Sequence, residues 1–170
     1  MNSSRNTTVW ILAAILALLV ATWVFYGTYD QQQTDEQASI SIDTGIALFQ
    51  EKKYTEALAV FESVPPSSPR QWRALYYRGS IYVMQKDYQS AVVYLEQALA
   101  LNPSETQVMN ALGVAYFKLG NLKLSKAYFA SILEIEPDNM EAKGLMDIMA
   151  NLERQQPGNA KSETDEMTDN

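Results

Sequence analysis

"GVAYFKLGNL", residues 113–122, opens with a glycine inside what otherwise reads as helix, where glycine costs about 1 kcal/mol relative to alanine. The same arrangement stands in "GSIYVMQKDY" at Gly79 and in "GIALFQEKKY" at Gly45, so the three glycines are spaced by 34 residues. Laid out as blocks 38–71, 72–105 and 106–139, the chain aligns without gaps. Ala57, Ala91 and Ser125 coincide, as do Phe61, Leu95 and Phe129, and Pro69, Pro103 and Pro137. Between the glycine and the next small residue each block has a polar break, "QEKKY", "MQKDY" or "KLGNL". Each block therefore reads as helix, short turn, helix, with a proline stopping the second helix. A fixed period of this size marks a stacked array. The expected fold class is all-α, an α-solenoid of three helical hairpins.

The glycines then have a packing reason. The two helices of a hairpin are expected to cross where Gly45 meets Ala57, Gly79 meets Ala91 and Gly113 meets Ser125, with small residues permitting close approach. Successive blocks should stack through Ile40, Ala74 and Val108, and through Ala47, Ile81 and Ala115, each set spaced by 34. Such an array needs an end cap with a polar outer side. Residues 140–153 supply one as a capping helix, with Ala142, Met146 and Met149 on its apolar face. Pro65 and Pro66 should end the first block's second helix early, as a slightly long turn, the alternative being a hinge between the first block and the rest.

The blocks resemble the tetratricopeptide repeat. The third block carries the resemblance through Leu112, Gly113, Tyr116, Phe129 and Pro137, the second through Gly79, Tyr82, Ala91, Leu95 and Pro103, and the first through Gly45, Ala57, Phe61 and Pro69. The tryptophan of the family pattern is replaced by Leu75 and Met109 in the second and third blocks. The resemblance implies a concave groove, lined by the first helices, that holds a peptide. One step round from the glycine face, the residues expected there are Ile42, Ile46 and Phe49; Tyr76, Ser80 and Val83; Asn110, Val114 and Phe117; and Ile148 of the capping helix. Some relatives clamp a terminal carboxylate with lysine, arginine and asparagine, but Ile42, Ile46 and Tyr76 occupy such slots here. An apolar or aromatic peptide or helix is the expected partner, bound in the helix-in-groove manner.

Composition narrows the function further. The 170 residues contain no cysteine and no histidine, which removes disulfides, zinc-thiolate sites and the commonest general base. The seven glycines form no phosphate-cradling run. The net charge of −7 sits mostly in the polar segment 30–37 and the tail, and no basic stripe suited to nucleic acid is visible. The expectation is a non-enzymatic interaction scaffold with no catalytic residue, metal site, cofactor, small-molecule substrate or nucleic-acid partner.

Residues 9–29 carry no charge and read as a transmembrane helix: at 1.5 Å per residue, the 18 most apolar of them span about 27 Å. Trp10 stands near one end and Trp23, Phe25, Tyr26 and Tyr29 at the other, as at membrane interfaces. Arg5 before the span and Asp30, Asp35 and Glu36 after it would keep the amino end cytoplasmic. On this reading residues 1–8 are a short leading segment, 30–37 a polar linker, and 154–170 a disordered acidic tail. The chain would be a single-pass protein of a bacterial inner membrane, with the lipid bilayer as a partner and the repeats on the periplasmic side, serving envelope complex assembly. The alternative is a cytoplasm-facing membrane receptor or targeting factor.

Overall fold

The computed structural model describes the backbone of residues 3–155, with side chains described from Ala14 onward. Seven helices follow one another among these residues: α1 Ser3–Gln50, α2 Tyr54–Glu62, α3 Gln71–Met84, α4 Tyr88–Leu101, α5 Thr106–Lys118, α6 Leu122–Ile135 and α7 Met140–Gln155. They pair as α1 with α2, α3 with α4 and α5 with α6, and α7 packs on α6. The fold is an all-α helical repeat.

The close approach at the glycines is real and has a specific cause. A Cβ placed on Gly45 would lie 2.5 Å from the Phe61 ring, one on Gly79 2.6 Å from Leu95 Cγ, and one on Gly113 2.7 Å from the Phe129 ring. The large side chain of the second helix, rather than the small residue opposite, therefore fills the space a Cβ would need. Ala57, Ala91 and Ser125 are fully buried beside these contacts. Ser125 also donates from Oγ to the Gly113 carbonyl at 2.8 Å, which satisfies a hydroxyl that would otherwise be costly to bury.

Each first helix ends in the same way. Lys52, Lys86 and Gly120 take left-handed φ values of 61°, 65° and 79°. The next backbone N–H, of Lys53, Asp87 or Asn121, reaches back to the carbonyl of Leu48, Tyr82 or Tyr116 at 2.9–3.0 Å, closing a Schellman-type turn. Asp87 and Asn121 then cap the second helix by accepting from the N–H of Ser90 and Leu124 at 3.1 Å. Lys53, at the equivalent place, makes no such bond. Pro65 and Pro66 do end α2 early, at Glu62.

Block-to-block stacking follows the period with one instructive exception. Ala74, Val108 and Ala142 are buried, and so are Ile81, Ala115 and Met149. In the first block Ile40 is 62% exposed and Ala47 is exposed as well. The expectation that these two are stacking contacts is corrected, because among the described residues no earlier block covers that face. The capping helix α7 thus occupies the place of a fourth first helix. Where the earlier blocks have glycine it has Asp147, exposed, and no second helix approaches it among the described residues.

The expectation of a transmembrane anchor at 9–29 is overturned. Among the described residues no helix is long and apolar enough to cross a membrane. The apolar run is no separate element but the first part of a 48-residue helix that continues unbroken through Asp30, Asp35 and Glu36 into the first block. Residues 9–13 lie outside the described side chains. The single-pass inner-membrane localisation is corrected with the span, and the lipid bilayer partner and the envelope-assembly and membrane-receptor readings find no support among the described residues. The segment 30–37 is helical and part of α1. Of the tail, Arg154 and Gln155 close α7, and the rest lies outside the described residues.

Two stability measurements check this packing. Gly79→Ala forces a Cβ against Leu95 and the Ala91 carbonyl and should lower stability by about 1–3 kcal/mol. Gly144→Ala, with nothing within 4 Å, should raise it by up to about 1 kcal/mol; thermal melts that rank the two variants equally would contradict the close-approach account. Lys53→Asp restores the cap that Asp87 makes in the next block and should add about 1 kcal/mol, read as a higher urea midpoint at unchanged slope.

Candidate functional site

The positions expected to face a groove lie on α1, α3, α5 and α7, one helix per block. Ile42 does not belong to the accessible surface. It is 1% exposed and packs with Ala38, Phe61, Val64 and Ile81 in the core of the first block. Ile46 and Phe49 flank that core and are half-buried. Tyr76, Ser80, Val83, Asn110, Val114 and Phe117 are likewise half-buried, and Ile148 is 50% exposed. Nine of the ten candidate positions therefore present at least part of a side chain to solvent.

The aromatic groups at the α1–α3 end are held by one another. Phe49 meets Tyr54 at 5.8 Å and Tyr77 edge-on at 5.6 Å. Tyr77 stacks on Phe61 at 5.3 Å and stands edge-on to Tyr76 at 5.1 Å. Edge-on and stacked pairs of this kind add about 0.5–1.5 kcal/mol beyond buried area and fix the Tyr76 ring. Burial pushes the Tyr76 phenol above its ordinary value, so it is neutral and able to donate at any physiological pH. Ser80 spends its proton on the Tyr76 carbonyl at 2.9 Å, leaving its oxygen as an acceptor. Sequence reasoning missed Tyr77. Its equivalents one period away are Asp43 and Ala111, so the repeat gave no signal for an aromatic wedge there.

Toward α5 and α7 the groove becomes polar. Asn110 donates from Nδ2 to Glu141 Oε1 at 3.3 Å. Glu136 accepts from Thr106 Oγ1 at 2.7 Å and from Asn139 Nδ2 at 2.8 Å. Those two bonds, Thr106 first, hold the Glu136 carboxyl below the usual carboxylate range. Residues 106, 107, 110, 136, 139 and 141 line one open depression at this end.

With three hairpins in register and glycine at each crossing, residues 82–152 match the family model described as Tetratricopeptide repeat. Over that stretch the chain is similar to tetratricopeptide repeats. RNA polymerase II-associated protein 3 of Homo sapiens is 30% identical over 121 residues, 66% of this chain and 18% of that protein. Heat shock protein STI1 of Saccharomyces cerevisiae is 29% identical over 104 residues, 61% of this chain and 18% of that protein. The chain thus spans less than a fifth of the length of these curated relatives. The first tetratricopeptide domain of Spaghetti (RPAP3), solved bound to the HSP90 peptide SRMEEVD, superposes with a TM-score of 0.66 at 27% identity, covering 71% of this chain and 95% of that one. The array is a protein–protein interaction domain of this class.

The division between core and groove has a direct test. Ile42→Ala should cost about 2–5 kcal/mol as a core truncation, whereas Ile148→Ala should stay within about 0.5 kcal/mol, both from denaturant unfolding followed by circular dichroism.

Proposed function

We propose that the tetratricopeptide array is a scaffold that takes an apolar or aromatic protein segment, most simply an amphipathic helix, along its concave groove. One observation carries the reading. The partly open groove positions are Ile46, Phe49, Tyr76, Val83, Val114 and Phe117, with Ser80 and Asn110 between them, and none bears a positive charge. The peptide held by the RPAP3 domain, SRMEEVD, ends in acidic residues. An acidic peptide needs cationic partners to offset the desolvation of its carboxylates, and this groove floor offers aliphatic and aromatic surface instead. Half-buried aromatic rings pre-fixed by their neighbours suit an apolar anchor, because little side-chain freedom remains to be lost on binding.

Fluorescence anisotropy with the full chain distinguishes the two ligand classes. A labelled 14-residue amphipathic helix with Leu and Phe at every third and fourth position should bind, and labelled SRMEEVD should bind at least tenfold more weakly. Tyr76→Glu should weaken the first interaction about tenfold or more at unchanged helicity. Tighter binding of SRMEEVD, or an unaffected Tyr76→Glu variant, would reject the proposal.

A further inference from the structure

Resting on that groove reading, we infer that the rim is charge-graded and admits its partner helix in one direction, acidic end over α3 and basic end over α7. The grading is built from equivalent positions of successive first helices. The residue one period apart along the rim is Ser39 on α1, Arg73 on α3, Gln107 on α5 and Glu141 on α7. Arg73 is half-buried, and Arg70 beside it donates from Nη1 to Ser39 Oγ at 2.6 Å. Neither arginine forms an ion pair among the described residues; the four ion pairs there are Lys53–Glu51, Arg78–Glu62, Lys126–Glu153 and Lys143–Asp138.

At the other end Glu141 and Glu136 border the same depression as Asn110 and Gln107. Both carboxylates are hydrogen-bonded only to neutral side chains, Asn110, Thr106 and Asn139, and neither pairs with a cation among the described residues. The rim therefore runs from Arg73, past half-buried aromatic and aliphatic side chains and the half-buried Glu105 beside Tyr76, to the two carboxylates, while the floor itself carries no cation. Neighbouring first helices pack about 10 Å apart, so Arg73 and Glu141 stand roughly 20 Å apart, the length of about 13 helical residues. The complementary occupant is a short amphipathic helix with apolar anchors on one face, an acidic residue in its first turn and a basic residue in its last. That order also matches a helix's own dipole, which favours acids at the N-terminus and bases at the C-terminus. Complementary rim charges of this kind fix register and direction more than they add affinity.

The test uses the full chain and the 14-residue Leu/Phe helix with glutamate in its first turn and lysine in its last, carrying a nitroxide at either end. The nitroxide at the acidic end should broaden the amide signals of α3, and the one at the basic end those of α7. The double variant Arg73→Glu with Glu141→Lys should exchange the two patterns. Replacing the peptide's lysine by glutamate should weaken binding about fivefold to the native chain, but not to Glu141→Lys. Binding with equal broadening of both ends from either label, or no dependence on the lysine, overturns the charge grading and leaves the groove reading standing. No binding of any of these helices overturns both.

Discussion

Everything in this molecule is organised around a contact that excludes a Cβ. In each hairpin a large side chain of the second helix, Phe61, Leu95 or Phe129, lies in the place that a side chain on Gly45, Gly79 or Gly113 would take. The helix penalty of glycine is offset by the dispersion contacts of a fully buried ring or isobutyl group at close range. Because the contact is repeated in register, every hairpin has the same crossing. Its neighbour can then stack on the same surface, and the first helices come to lie side by side as the floor of one groove.

The two ends of the array show the same constraint by its absence. Residues that are buried between blocks at 74, 81, 108 and 115 have exposed counterparts at Ile40 and Ala47, because a solenoid is held only by nearest neighbours. At the other end α7 keeps the inward contacts through Ala142 and Met149 and replaces glycine by Asp147. Among the described residues, a helix with one covered face and one polar face closes the stack. Links across the outer side are secondary and differ from block to block: Glu62 pairs with Arg78, whose guanidinium lies 4.3 Å from the Tyr94 ring centre, whereas Glu96 accepts from Tyr116.

The groove's chemistry is a consequence of which helical face remains after packing. Positions toward the partner helix are small or glycine, and positions toward the next block are small or aliphatic. What is left over carries the half-buried aromatics. In the aromatic cluster of Phe49, Tyr54, Phe61, Tyr76 and Tyr77, the half-buried Phe49 and Tyr76 rest against Tyr77, which in turn stacks on the fully buried Phe61.

The sequence by itself determined the period, the hairpin in each block, the early stop at Pro65 and Pro66, and the small residues at each crossing. These follow from local rules of spacing, turn residues and helix termination that act over a few turns of chain. It also proposed a set of groove-facing positions, all of which except Ile42 keep part of the side chain accessible. Only the tertiary structure decided that Ile42 is core, that Tyr77 wedges between blocks, and that Ile40 and Ala47 have no neighbour. It also decided that the apolar N-terminal run belongs to a helix continuous with the first repeat. Burial at those positions depends on what lies across the gap from a side chain, and a one-dimensional period repeats the residue's own direction without registering whether anything stands opposite it.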